Sequence, residues 1–146
     1  MRFWDASAIV PLLAAEQASA AMRALLDSDP LMVVWWATPV EVVSAVTRRE
    51  HAGALSAADT SRMLRTLDAL ASTWLEVQPK APLRPLARRL LRTHPLRVAD
   101  ALQLAAALVI GDDQPAAVPF VCLDARLAAA ARQEGCSGTA ARNGRR

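Results

Sequence analysis

The sequence predicts an α/β domain in three layers, α/β/α, around a central parallel sheet of four to five strands. Three observations carry this. Short apolar runs alternate with longer stretches of helical periodicity, and no two runs are joined by a tight hairpin turn. The run 31–37 (LMVVWWA) is apolar throughout, as a strand covered on both faces is. The 146 residues are 53% hydrophobic and 21% charged, enough for one ordinary domain with a buried core and too apolar for a disordered chain.

The elements follow in order. Arg2 to Trp4 opens a short strand that ends at Asp5, and residues 7–15 and 16–27 read as helical. Ala6 to Ala15 is largely apolar, and Ala18-Ser19-Ala20 resembles a leader cleavage site. Asp5 and Pro11 interrupt that pattern and only Arg2 precedes it, so the stretch reads as part of the domain. No apolar run approaches the length that crosses a membrane. In the strand 31–37, Trp35 and Trp36 point to opposite faces, and both are expected in the core. Thr38 is placed to cap the next helix, with Pro39 at its first position and Glu41 in its first turn. That helix runs to about Ala52, where Gly53 can stop it. Ser56 and Asp59 form a capping-box pattern for a helix to about Ser72. Trp74 to Val77 is a short strand, Leu83 to Thr93 an Arg-rich helix, and Arg97 to Ile110 a further helix. A polar loop covers 111–119, Phe120 to Leu123 is a strand, and Ala125 to Glu134 a last helix. Beyond it GCSGTAARNGRR has no apolar period. The expected division is a domain over 1–134 and a flexible basic tail over 135–146.

Net charge is +3, from 17 basic and 14 acidic residues, and every basic residue except Lys80 is Arg. The pI near 9.6 permits a polyanionic partner without demanding one, and a GC-rich genome explains the Arg excess equally well. Cys122 and Cys136 form no CxxC pattern and, with only His51 and His94 beside them, argue against a zinc site. Two scattered thiols fit a reducing, cytoplasmic compartment. No Cys–His or Ser–His arrangement suggests a nucleophile, and His94 reads as a turn or cap residue.

Four carboxylates hold a shared kind of position. Asp5 and Asp124 end strands, Glu41 lies in the first turn of the helix after the second strand, and Asp100 lies early in the helix after His94-Pro95. In an open parallel sheet the strand-to-helix junctions share one edge, where ligand sites gather. Each acid alone is explained by capping or by the helix dipole. Together they repel one another, and such a cluster persists most easily around a divalent cation. Oxygen-only ligands select hard ions, Mg²⁺ or Mn²⁺. A metal so held activates water and neutralises a phosphodiester in its transition state. Ser7, two residues after Asp5, adds a hydroxyl for a metal-bound water or a phosphate.

These motifs resemble those of a known family. Phe3-Trp4-Asp5-Ala6-Ser7-Ala8 is similar to the N-terminal D-x-S-A signature of PIN domains. Glu41 within Pro39-Val40-Glu41-Val42-Val43-Ser44-Ala45 looks like the second acid. The segment from His94 to Ala107, with Arg97 and Asp100-Ala101, resembles the R-x-x-D-A-x-x-x-A-x-A segment of VapC-type toxins and carries the third. Phe120 to Leu127 looks like the closing strand with the fourth acid, Asp124. The match spans about residues 1–134. The resemblance implies an endoribonuclease dependent on Mg²⁺ or Mn²⁺. Its site acids would be Asp5, Glu41, Asp100 and Asp124, and it would form a homodimer silenced by a VapB-like antitoxin. Ala6 stands where many members carry a hydroxyl, which removes a contact but no metal ligand. The tail lacks the apolar final strand of many relatives, so either a sheet one strand shorter or a different ending of the chain is expected. A PIN nuclease of RNA processing or acting on DNA, and a binding module without catalysis, are the alternatives; the presence of all four acids argues against the second.

Several arginines have two readings. Arg97 lies three residues before Asp100, where it holds that acid or contacts substrate phosphate. Arg48 and Arg49, two turns beyond Glu41, guide RNA or close a solvated helix end. Arg84, Arg88 and Arg92 form one stripe, either a phosphate-tracking or a solvated face. Arg142, Arg145 and Arg146 add non-specific attraction to RNA or serve only a soluble tail.

Overall fold

The protein is described by a computed structural model over residues 1–112 and 114–139. Five strands, β1 (Arg2–Trp4), β2 (Met32–Trp35), β3 (Leu75–Val77), β4 (Phe120–Val121) and β5 (Gly138–Thr139), pair in the order β3-β2-β1-β4-β5. Every pairing is parallel. Seven α-helices lie among the described residues: α1 (Ala6–Leu13), α2 (Ser19–Ser28), α3 (Thr38–His51), α4 (Ala57–Ala71), α5 (Leu83–Thr93), α6 (Val98–Gly111) and α7 (Ala125–Gln133). None is long and apolar enough to cross a membrane.

The period of two along each strand divides the core into two layers. Phe3, Val33, Trp35 and Phe120 face α5, α6 and α7, whereas Trp4, Met32, Val34 and Val121 face the layer of α1, α2, α3 and α4. Phe3 and Phe120 stack with ring centroids 5.6 Å apart and join β1 to β4. Much of α6 is alanine, with Ala101, Ala105 and Ala106 fully buried, which lets this helix lie close on the sheet. At the opposite end of that layer Glu134 receives both guanidinium N–H groups of Arg89, at 3.0 and 2.6 Å, and meets His94 Nε2 at 2.7 Å. Arg89, and after it His94, hold the Glu134 carboxyl down at about 2. This ties the turn after α5 to the end of α7, so His94 is a structural residue as its position suggests.

Three expectations are corrected. Trp36 is not core: β2 ends at Trp35, and Trp36 is 52% exposed. Thr38 does not cap α3. Ala37 occupies the cap position without a side-chain bond, and Thr38 is fully buried with its hydroxyl turned inward. The chain after Gly135 does not leave the domain at once. Cys136 is buried, Phe120 N–H donates to Ser137 O at 2.8 Å, and β5 adds an edge strand. Backbone pairing needs no apolar run, so composition could not reveal this strand. The expected basic tail arginines, Arg142, Arg145 and Arg146, lie outside the described residues.

Candidate active site

The chain builds β1, β2 and β3 outward on one side, then returns through α5 and α6 to place β4 on the other side of β1. Helices leave β1 and β4 toward opposite faces, which opens a crevice at the carboxyl ends of these two strands. There lies a cleft of about 560 Å³, and all seven sequence-predicted residues line it: Asp5, Ser7, Glu41, Arg48, Arg97, Asp100 and Asp124. They come from β1–α1, α3, α6 and β4–α7, so the fold brings together acids up to 119 residues apart, the difference between positions 5 and 124.

Each acid is fixed by one carboxylate oxygen. Asp5 Oδ2 accepts from the Ser7 backbone N–H at 3.0 Å and from the Ser7 hydroxyl, capping α1. Asp124 Oδ1 accepts from Leu127 N–H at 2.8 Å and caps α7. Asp100 Oδ2 accepts from the Arg97 backbone N–H at 3.2 Å. Glu41 Oε1 accepts from the Gln103 amide at 3.2 Å. Among the described residues the second oxygen of each of these acids accepts no hydrogen bond. Capping and cleft-lining are therefore compatible: one oxygen positions the side chain and the other is left over.

The donor set is all oxygen, which suits a hard divalent cation. Among the described residues no three of these side chains already stand as a closed ligand group. With each acid turned by one oxygen onto its own anchor, the carboxylates spread around the cleft as mutual repulsion favours. The residues fit such an ion by chemistry and by shared location.

The electrostatics follow. Asp5 is only 4% exposed, and burial raises its pKa above the usual carboxylate range, with Asp100 adding repulsion against the hydrogen bonds from Ser7. Burial raises Glu41 to about 7; the Gln103 bond opposes this, and the charges of Asp5 and Asp100 add to it. For an acid whose folded pKa lies above its unfolded value, the folded state holds the extra proton, so stability falls as pH rises between the two values. Metal-free protein is thus expected to lose roughly 3–6 °C of melting temperature between pH 5 and pH 8. Mn²⁺ at pH 8 should restore it and Glu41→Gln should flatten the slope. A melting temperature that rises steadily over this range in EDTA would contradict it.

Two residues that the sequence reading missed complete the site. Gln103 is fully buried, and its amide donates both to Thr38 Oγ1 at 3.0 Å and to Glu41 Oε1. It lies three residues after Asp100 on α6, one turn along the same face, and that spacing was the available signal. Cys122 is buried beside Asp5, its Sγ donating to Asp124 O at 3.4 Å, and burial with the Asp5 charge raises its thiol pKa. It lies two residues before Asp124, in the segment that joins β4 to α7.

Some assigned roles change in detail. The Ser7 hydroxyl donates to Asp5 and accepts from Leu123 N–H at 3.0 Å, so it ties β1 to β4 and orients Asp5. Arg97 anchors Asp100 through its backbone N–H rather than its guanidinium, which stays exposed at the cleft. Arg49 also lines the cleft and pairs with Glu16, whereas Arg48 has no ion pair among the described residues.

No family model matches the chain. It is 35% identical over 136 residues to ribonuclease VapC45 of Mycobacterium tuberculosis, covering 92% of this chain and 91% of that protein. Among solved structures it is similar to M. tuberculosis VapC20, described as a sarcin-ricin loop cleaving toxin. The TM-score is 0.67 at 17% identity, over 89% of this chain and 95% of the other. It is similar also to a chain of a toxin-antitoxin complex from Klebsiella pneumoniae, with TM-score 0.61 at 16% identity, over 85% and 87%. The structural likenesses place the fold, and the sequence identity over nearly the whole length places the lineage: the chain belongs to the VapC ribonuclease family.

Proposed function

We propose that this protein is a metal-dependent endoribonuclease, the toxin of a VapBC-like type II toxin–antitoxin pair, hydrolysing phosphodiester bonds of RNA. The observation that carries the reading is the set of four carboxylates from separate elements around one cleft, each with an unengaged oxygen. The name of the 35% identical relative supports RNA as substrate, and the likeness to a toxin-antitoxin complex supports a VapB-like antitoxin as partner. A homodimer is the assembly that the family resemblance implies.

Asp5, Glu41, Asp100 and Asp124 would hold Mg²⁺ or Mn²⁺. The ion supplies Lewis acidity, activating water and neutralising phosphate charge. The protein's own part is positional. Ser7 turns Asp5, Gln103 turns Glu41, and the backbones of Arg97 and Leu127 turn Asp100 and Asp124. Arg48 and Arg97, which line the cleft, would meet the phosphates flanking the bond to be cut. The test is cleavage of a labelled total-RNA pool by purified protein with Mn²⁺, with EDTA, and by the Asp100→Ala variant. Cutting that needs metal and disappears in the variant is expected; no cutting with any divalent ion overturns the nuclease reading.

A further inference from the structure

The most uneven distribution of charge outside the cleft is on α5. This helix carries Arg84, Arg88, Arg89 and Arg92 and no acid. Arg89 is taken up by Glu134; the other three are exposed and make no ion pair among the described residues. Their arrangement opposes helix stability in two ways. Arg84 is in the first turn, where the helix dipole disfavours a cation, and Pro82 at the cap position provides no side-chain bond. Arg84, Arg88 and Arg92 stand four residues apart, so each neighbouring pair repels by a few tenths of a kcal/mol. A merely solvated face is usually laced with acids that relieve such repulsion. A sequence that breaks local rules without internal compensation is expected where an external partner supplies it.

The shape suits an extended polyanion. Arg88, Arg89 and Arg92 line a depression of about 460 Å³ that also touches Pro85 and Thr93. Pro85 is shared with a second depression of about 480 Å³, which holds Lys80 and Arg84. The two meet at Pro85 and together would make one groove edged by Lys80, Arg84, Arg88 and Arg92. One short segment of chain links this groove to the acid cleft. Thr93 borders the groove and Arg97 the cleft, and four trans peptides separate their Cα atoms by at most about 15 Å.

We infer that the α5 groove is a second RNA-binding surface. It holds the phosphate backbone of a single strand that runs from the acid cleft past Arg97 and along Arg92, Arg88 and Arg84. The inference rests on the nuclease reading above and extends it. The cleft holds the bond to be cut, and α5 holds nucleotides several positions away. Guanidiniums without aromatic side chains between them read backbone rather than base, so the groove lengthens the footprint without adding sequence preference.

The test compares the full-length wild type with the variant carrying Arg84→Gln, Arg88→Gln and Arg92→Gln. Each is assayed in Mn²⁺ on a five-nucleotide RNA and on a thirty-nucleotide single strand containing it. The expected result is that the ratio of kcat/KM for the long over the short RNA falls at least tenfold in the variant. The slope of log binding against log salt for the long RNA should shrink by about 2, near 0.7 per cation removed. Replacing the same three residues by Lys should keep most of the wild-type ratio and slope, which controls for folding. A ratio and slope unchanged in the Gln variant overturn the proposal, and so does a Lys variant that behaves like the Gln variant. Failure of the wild type to cut either RNA would instead strike the nuclease reading, and the salt slope of binding would still decide the groove.

Discussion

The Asp5→Asn variant is expected to lose about 10³-fold in RNA cleavage while remaining folded. The reason lies in how Asp5 divides its two oxygens. Both bonds from Ser7 fall on Oδ2, so an amide oxygen in the same place keeps the cap of α1. The amide nitrogen then replaces Oδ1, the oxygen without a hydrogen bond among the described residues, and an N–H donor repels a cation. The charge removed is one that burial holds at a cost. Metal-free Asp5→Asn should therefore melt at or slightly above the wild-type temperature. Cleavage rates in Mn²⁺ with parallel calorimetry check both halves. Wild-type activity in a folded variant would remove Asp5 from the chemistry; an unfolded variant would recast it as a purely structural cap.

The second large effect is expected from a residue that touches no substrate. Gln103→Leu should lower cleavage by 10- to 100-fold at limiting Mn²⁺, the scale at which loss of a ligand's supporting partner acts. Gln103 holds Glu41 from one side while Thr38 holds Gln103. Without the amide, Glu41 loses the hydrogen bond that opposes its raised pKa. Its proton is then released at higher pH, and the acid limb of the pH–rate profile moves upward. The Mn²⁺ concentration for half-maximal rate should rise, and KM for RNA should change little. The Gln103 amide oxygen is buried without a partner among the described residues, so leucine removes an unsatisfied acceptor even as it strands Thr38, and the melting temperature should shift by only a few degrees. Superimposable pH profiles and Mn²⁺ titrations would show that Gln103 serves the core alone. Thr38→Val, which frees the amide from its other anchor, should shift the same quantities less.

The site was more legible in the sequence than the sheet was. Asp5, Glu41, Asp100 and Asp124 were visible because a parallel sheet puts chemistry at strand-to-helix junctions, and junctions are marked by apolar runs giving way to helical periodicity. Capping acids are common at such junctions, and single positions could not be told from caps. The oxygens explain why: all four acids do anchor to a nearby donor, Asp5, Asp100 and Asp124 at a helix start, and present a second oxygen besides. Gln103 was missed because its one sequence signal, the spacing of three residues from Asp100, does not name its partners on α3. Trp36 was misplaced because an apolar run carries no mark of where its pairing partner stops, and β3 ends opposite Trp35. The strand β5 escaped notice because Gly138 and Thr139 contribute backbone rather than apolar side chains to the edge.

The centre of the sheet has a consequence for synthesis. β1 is made long before one of its two neighbours, β4, and Phe3 must wait for Phe120 before that side of it is covered. Contacts of such long sequence separation form late, because the intervening chain must be ordered first. Asp5 leaves the ribosome long before Asp124, so the cleft cannot be assembled until the segment that carries Asp124 has been made. A cleft built in this order lacks one of its four carboxylates until the turn after β4 has emerged.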